Sequence, residues 1–329
     1  MKRQSYKVIW MVLGWAVFLI VWTVLQSNPS ATNSFVLYAI WGYSWNLIAN
    51  YAGEISLGHS SFAAIGAYTT VILFQKFNIY PIYGWMFGVL AAVLFSLLIG
   101  CFSFRLKGPY FSLSTLSFSA VLLSLILHFD TVTGGANGLQ ISFSSDNWAN
   151  LEFLNPYVYT IIGAIFVAIL IILFYFIPRT KFGYYLQAVK TNSIAAESIG
   201  INSFTIKLLI LVLSAAFTAI GGILSAFSVG FLDPNYMTGL TLATYMAVVP
   251  IIGGSNFIFG PIIGAAILEG ITIFTNDLSA QNAGYVNACF GLVLMVIVLF
   301  AKKGVLDLLL RIPAFFSKNK ILNNTKEVV

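Results

Sequence analysis

The sequence predicts an all-α polytopic membrane protein with about ten transmembrane helices. Of its 329 residues, 59% are hydrophobic and only 8% are charged, whereas about 25% are charged in an ordinary soluble domain. Mean hydropathy is +0.92, and long apolar runs recur along the whole chain. A soluble globule of this composition would lack the polar residues needed to cover its surface. The runs are continuous rather than alternating, which favours helices over the strands of a barrel.

Ten apolar runs approach the length of about 20 residues that a helix needs to cross a bilayer. Glycine, serine and proline interrupt the third, eighth and ninth runs, so some helices are expected to be broken. The predicted spans are Val8–Leu25, Ser34–Asn50, Ile55–Phe74, Ile82–Phe104, Tyr110–Phe129, Tyr157–Ile177, Ile206–Phe231, Met237–Ile252, Phe257–Thr275 and Ala283–Ala301.

The distribution of basic residues predicts that both termini lie in the cytoplasm. With the N-terminus inside, ten crossings place fifteen of the sixteen lysines and arginines on the cytoplasmic side and leave only Lys76 outside, as the positive-inside rule requires. The net charge of +6 therefore follows membrane topology and does not indicate a nucleic-acid partner. The first apolar run is long and has no cleavage pattern, which predicts a retained helix rather than a signal peptide. A transmembrane domain is expected over 1–305, with a cytoplasmic tail over 306–329.

Two connections are long enough to form structure of their own. The external loop, 130–156, contains a glycine-rich segment that reads either as a tight turn or as a docking surface. The residues of interest there are Gly134, Gly135, Asn137 and Gly138. Cys101 and Cys289 lie in apolar runs and are assigned no function, and no metal site is expected.

The cytoplasmic loop, 179–205, has an amphipathic core. Leu186, Val189, Ile194 and Ile199 lie near helical spacing, and residues 191–193 are a typical cap before a short helix that Gly200 would end. One interpretation is a helix lying on lipid headgroups. The other is a protruding helix that fits a groove in a soluble partner.

Within the membrane, polar residues concentrate after the second span. Gly53, Ser56, Gly58, His59 and Gly66 would be costly against lipid, so they are expected to line a translocation path or to pack helices closely.

Glu269 lies in the ninth span, where a carboxylate costs about 2.5–3.5 kcal/mol on insertion scales. It should face the bundle interior, in the path or in a structural hydrogen bond.

The segment Ile194–Gly200, after Arg179–Val189, resembles the cytoplasmic coupling loop of permeases of the branched-chain amino-acid ABC transporters, LivM type. Residues 53–68, 107–111, 133–138 and 253–266 resemble further signatures of that family in the same order. The general importer pattern is Glu-Ala-Ala, three residues and Gly. Here Ile194 occupies the glutamate position, while Glu197 carries a charge one residue after the alanines. Position 54 is Glu where the family more often has Gln.

The resemblance implies a permease subunit of a binding-protein-dependent ABC importer in a bacterial cytoplasmic membrane. Its implied partners are two cytoplasmic ABC ATPases, a second homologous permease and an extracellular or periplasmic substrate-binding protein. ATP and Mg²⁺ would belong to the ATPases; the chain lacks a phosphate-binding G-x-x-x-x-G-K-[ST] motif and is expected to hold no cofactor and no catalytic residue. The ATPases would contact Ser193, Ala195, Ala196, Glu197 and Gly200.

The cargo implied by the resemblance is a branched-chain amino acid, but other classes share much of the pattern. Urea or amide permeases and simple-sugar or nucleoside permeases are the alternatives within the same architecture. A self-sufficient secondary transporter is a different class, which uses intramembrane carboxylates. Only Glu269 and Glu54 qualify for that role.

Overall fold

The computed structural model describes residues 2–26, 28–106, 108–141 and 148–278, and beyond these only 291–292, 295 and 304–308. The tenth predicted span, Ala283–Ala301, has only isolated described positions, and Cys289 and the tail after residue 308 lie outside the described residues. The chain divides into two compact units, Met1–Ala247 and Val248–Val329.

The described chain is helical almost throughout. A two-residue ladder joins β1 (Leu139–Gln140) to β2 (Phe231–Leu232) in antiparallel register, with Leu139 opposite Leu232. Single 3₁₀ turns cover Gly135–Asn137 and Ile177–Arg179. The helices are α1 Lys2–Gln26, α2 Pro29–Ala52, α3 His59–Phe77, α4 Pro81–Ser103, α5 Pro109–His128, α6 Asp130–Thr133, α7 Tyr157–Phe176, α8 Lys181–Thr191, α9 Ser193–Ser198, α10 Ser203–Val229, α11 Pro234–Met237, α12 Leu240–Gly253 and α13 Gly260–Leu278.

Six helical segments within the described ranges are long and apolar enough to cross a membrane, which confirms a polytopic membrane protein. The predicted count of ten spans and the inside location of both termini stay predictions. A shorter apolar helix covers Gly260–Thr275. The six segments are Lys7–Gln26, Pro81–Ser103, Pro109–His128, Tyr157–Arg179, Ser203–Val229 and Pro234–Gly253.

The second and third predicted spans are helices, α2 and α3, but they are not among these six apolar segments. Eighteen of the 24 residues of α2 are buried inside the bundle, and α3 buries almost all of its first half. A helix surrounded by other helices does not need an apolar surface, because it meets protein instead of lipid. Their polar residues therefore indicate a central position.

Several predicted spans begin three or more residues from the observed helix starts, and for three of them the local structure gives the reason. The third helix begins at His59 rather than Ile55, because α2 ends at Gly53 in the left-handed conformation (φ 73°) and residues 53–58 run without helical structure. The eighth begins at Leu240, after the separate short helix α11, which Asp233 caps. The ninth begins at Gly260, after the turns of residues 255–259.

Small residues allow α3 and α10 to pack with almost no space between their backbones. A Cβ atom added at Gly222 would lie 2.2 Å from the carbonyl oxygen of Ala63, and one at Gly66 would lie 2.7 Å from Cβ of Ala219. A Cβ at Gly88 of α4 would lie 2.6 Å from the carbonyl oxygen of Gly66. Such small-residue contacts replace the hydrophobic effect as the source of helix association within a bilayer.

In the second unit, α12 and α13 also pack closely at glycine residues. A Cβ at Gly264 would lie 1.8 Å from the carbonyl oxygen of Val249, and one at Gly253 would lie 1.7 Å from that of Gly260. The segment 253–264 is therefore a tight helical corner in which glycine is required for close backbone contact.

We predict that Gly222→Ala destabilises the protein, because the added methyl would meet the backbone of α3 and not a movable side chain. Overpacking of this kind costs about 1–3 kcal/mol. The matched control is Gly270→Ala in α13, where no atom of a neighbouring element in the described ranges lies within 4 Å of an added Cβ and the substitution should stabilise the helix by about 0.5–1 kcal/mol. Thermal unfolding in detergent measures the stability of both variants. A Gly222→Ala variant as stable as the parent would contradict the close backbone contact between α3 and α10.

Candidate functional site

A network of buried polar side chains joins the segment 53–58 to the central helices. Nδ1 of His59 lies 2.9 Å from the hydroxyl of Ser56, and Nε2 lies 2.7 Å from the hydroxyl of Ser214 on α10. The Ser214 hydroxyl donates to the carbonyl oxygen of Ser44 on α2 at 2.5 Å. The indole of Trp45 donates to the carbonyl oxygen of Ser56 at 2.7 Å.

The bonds of this network fix the tautomer of His59. Because the Ser214 proton is used on the carbonyl of Ser44, the Ser214 oxygen must accept from Nε2–H of His59. Nδ1 then accepts the proton of the Ser56 hydroxyl, whose oxygen accepts from the amide of Gly58 at 3.3 Å. Both ring nitrogens are thus occupied by protein partners, and the ring is fully buried. This geometry favours a structural role over direct contact with a transported molecule.

The other residues predicted to line the path are mostly packing positions. A Cβ at Gly58 would lie 2.5 Å from the carbonyl oxygen of Thr115 on α5, and Gly66 is the contact with Ala219. Gly53 is exposed and supplies the left-handed turn after α2. Ser56, Gly58, His59 and Gly66 therefore lie at contacts between packed helices, whereas Gly53 lies apart from them in an exposed turn.

Two lysines bind groups at the C-terminal end of α2. Lys207 of α10 forms an ion pair with Glu54, with 2.5 Å between Nζ and Oε1, and the two side chains are 19% and 14% exposed. Lys190 of α8 donates to the carbonyl oxygen of Asn50, in the last turn of α2, at 2.6 Å. Positive charge at the C-terminal end of a helix is also favoured by the helix dipole.

The cytoplasmic loop forms two helices, α8 and α9, separated at Asn192. The side chain of Asn192 accepts from the amides of Ile194 and Ala195, each at 3.1 Å, which confirms the predicted cap. Gly200 follows α9 in the left-handed conformation (φ 88°), where a glycine was expected.

The apolar residues of this loop divide into two sets. Leu186 and Val189 are buried, as is Ala196, which is 2% exposed. Ile194 and Ile199, by contrast, are 68% and 75% exposed, and Ala195 and Glu197 are also exposed. We define the exposed residues Ile194, Ala195, Glu197 and Ile199 as the α9 surface. It protrudes from the bundle, with Ala196 beneath it.

At the opposite end of the bundle, the glycine-rich segment is a compact turn. Gly134, Gly135 and Gly138 all have positive φ, and a Cβ at Gly138 would lie 2.2 Å from the carbonyl oxygen of Leu232. The hydroxyl of Thr133 donates to the carbonyl of Ile126 at 2.5 Å and accepts from the amide of Gly135. Glycine is required here by the backbone, while Asn137 points to an exposed position.

A cavity of about 520 Å³ lies near this end, between α2 and α10. Hydroxyl and amide side chains from both helices line it, among them Asn33, Ser34, Ser225 and Ser228, together with the rings of Tyr38 and Trp41. None of these residues was predicted to form a site. The signal in the sequence is faint, because serines at helical spacing within a span are more often packing residues.

Glu269 lies on α13 in the second unit and is only 5% exposed. One of its carboxylate oxygens has no hydrogen-bond partner among the residues that the structure describes, which fits the interior position predicted for it. Over the same ranges, no three His, Cys, Asp or Glu side chains are grouped as a metal site would need.

The sequence profile of the branched-chain amino acid transport system permease component family matches residues 30–301. The chain belongs to this family. The match covers α2 to α13, and therefore both the buried network and the α9 surface.

Curated relatives agree with this membership. The chain is 26% identical over 321 residues to the high-affinity branched-chain amino acid transport system permease protein LivM of Escherichia coli K12, covering 89% of this chain and 73% of the relative. The LivM protein of Salmonella typhimurium gives the same values. The probable ABC transporter permease protein YphD of Escherichia coli K12 is 32% identical over 160 residues, 46% of each chain. No solved structure matches this chain.

We predict that His59→Phe lowers stability by about 1–3 kcal/mol, because the buried Ser56 hydroxyl loses its acceptor. His128→Phe, at an exposed helix end, is the matched control and should be neutral. Thermal unfolding in detergent and abundance in the membrane measure the stability of both variants. A His59→Phe protein with parental stability that had lost transport would instead place the ring in the transport path.

Proposed function

We propose that this chain is a membrane-spanning permease subunit of a binding-protein-dependent ABC importer for branched-chain amino acids. ATP hydrolysis on separate cytoplasmic subunits would drive it. The observation that carries the proposal is the family match over residues 30–301, to which the two LivM proteins add near full-length similarity. The location proposed is the cytoplasmic membrane of a bacterium, with both termini inside.

The α9 surface is the proposed contact with the ATPase subunits. Exposure of Ile194 on α9 and of Ile199 directly after it is unfavourable in water, and burying both side chains in a groove of a partner would remove that cost. Ser193, Ala195, Glu197 and Gly200 surround them. Ala196 is buried, so its part in coupling is to seat α9 on the bundle rather than to touch a partner.

The opposite end is the proposed docking face for a substrate-binding protein. The turn at Gly134, Gly135 and Gly138 is fixed by backbone contacts to β2, and it presents Asn137 at the surface. A rigid exposed turn binds a partner at a lower entropic cost than a mobile loop does. This assignment makes 130–156 external and 179–205 cytoplasmic, within a membrane domain of residues 1–305.

The complete importer would contain further subunits. A second homologous permease would complete the membrane portion, and two ATPase subunits would bind the nucleotide and its Mg²⁺. This chain would bind no cofactor. Glu269, buried in α13, is the residue of the second unit proposed for the translocation path.

The decisive experiment measures uptake of labelled L-leucine by cells that lack their own branched-chain amino-acid importers. Cells that express this chain with its cognate ATPases, second permease and binding protein should accumulate leucine. Accumulation should stop when the ATPase that binds this chain carries a substitution in its phosphate-binding lysine. Uptake that persists without a working ATPase would indicate a secondary transporter, and uptake of urea or a simple sugar alone would replace the proposed cargo.

We predict that Ile199→Asp weakens association with the ATPase subunits at least about tenfold, which is the effect of losing about 1.4 kcal/mol. An aspartate there would place an unpaired charge in an apolar contact. Co-purification of the complex from detergent measures the association.

The matched control is Leu154→Asp, because Leu154 is 73% exposed, close to the 75% of Ile199, but lies at the opposite end of the bundle. It should leave ATPase association unchanged. Equal losses for both variants would mean that the charge disturbs insertion or folding, and the α9 surface would not be the contact.

A further inference from the structure

The cavity between α2 and α10 has the size of a ligand site. Its volume of about 520 Å³ lies within the range of about 300–1,000 Å³ that small-molecule sites occupy. Pro156, just before α7, and Tyr236 of α11 complete its wall. It adjoins the start of α2 and the end of α10, whereas the Lys207–Glu54 pair is at their other ends.

The polar groups of the cavity are available to a ligand. Asn33 and Ser225 are 8% and 4% exposed, yet neither the Asn33 amide nor the Ser225 hydroxyl makes a hydrogen bond within the part of the chain that the structure describes. Buried polar groups nearly always have a partner, which is protein, water or ligand. Ser34 adds another hydroxyl from α2, and Ser228 of α10, whose hydroxyl donates to the carbonyl oxygen of Ser225 at 3.0 Å, adds an oxygen that can still accept.

Much of the remaining wall is apolar or aromatic. Leu37, Tyr38, Trp41 and Val229 line it, and Trp41 is only 1% exposed. The centroid of the Tyr38 ring lies 6.1 Å from the centroid of the Trp41 ring and 5.9 Å from that of the Tyr245 ring on α12. This aromatic cluster provides a preformed surface for an aliphatic group.

The charge of the lining limits what the cavity can bind. Every residue assigned to it in the described chain is uncharged, so an ion with net charge would lose its water without gaining a counter-charge. A net-neutral molecule with hydrogen-bonding groups at one end and an apolar group at the other matches the lining. A zwitterionic amino acid with an aliphatic side chain has this form.

We infer that the cavity between Asn33 on α2 and Ser225 on α10 is a binding site for an aliphatic amino-acid zwitterion. The serine hydroxyls and the Asn33 amide would bind the carboxylate and ammonium groups, and Trp41 with Leu37 would contact the side chain. The identity of the ligand rests on the proposed function, whereas the existence of the site rests on the cavity itself.

The test uses a single reporter thiol at the cavity rim. Ser228→Cys is introduced into the full chain with Cys101→Ser and Cys289→Ser, and the chain is co-expressed with its partner subunits. The rate of modification by a hydrophilic methanethiosulfonate is then measured in permeabilised membrane vesicles, with L-leucine as the probe. At about ten times the half-protecting concentration, leucine should slow modification about tenfold, because the unoccupied fraction falls by that factor. L-Glutamate, which carries net charge, should give no protection.

Two further variants keep the outcome interpretable. Ala136→Cys, exposed on the 3₁₀ turn at the same end, should be modified at a rate that leucine does not change. Asn33→Leu, added to the reporter, should leave the modification rate intact and abolish protection by leucine. Absence of protection, protection by glutamate equal to that by leucine, or protection of Ala136→Cys would each overturn the site.

The labelling result is independent of transport. A complex that takes up leucine but shows no protection would retain the proposed function and lose this site. Protection in a complex that takes up no leucine would retain the site and reject the proposed function.

Discussion

The close contact of α3 with α10 is the constraint on which the rest of the first unit depends. At Ala63 and Gly222 the two backbones meet with no side chain between them, so these helices can take only one axial position relative to each other. That position places His59 opposite Ser214 and sets α4 against α3 at Gly88. In lipid, where apolar side chains gain little by leaving the solvent, such steric fit is the main source of specificity.

The same contact explains why a polar network can exist at the centre of a membrane protein. Unpaired polar groups are costly there, but the fixed register of α2, α3 and α10 satisfies each donor around His59. Of the residues predicted for a pathway, Ser56 and His59 are hydrogen-bonded within this network, and Gly58 and Gly66 lie at close contacts with neighbouring helices. The side chains of Asn33 and Ser225, by contrast, line the cavity between α2 and α10.

Local features of the fold were predictable from the sequence, whereas pairings between distant residues were not. The cap at Asn192, the glycine after α9 and most helices follow from short-range rules about caps and apolar runs. The partner of His59 is 155 residues away, and a single sequence contains no signal for such a pairing. The burial of α2 was missed for a related reason, since hydropathy measures how well a helix suits lipid and not how many helices surround it. The cavity arises from the facing surfaces of two helices and has no motif.

The length of α2 has a mechanical consequence. It is one uninterrupted α-helix of 24 residues, about 36 Å long at 1.5 Å per residue, with Lys190 attached to its last turn and the cavity at its first turns. A hydrogen-bonded helix of this kind resists compression, so displacement of its C-terminal end would tilt or shift its N-terminal end as well. The contact with Lys190 and the cavity are thus connected by one continuous helix.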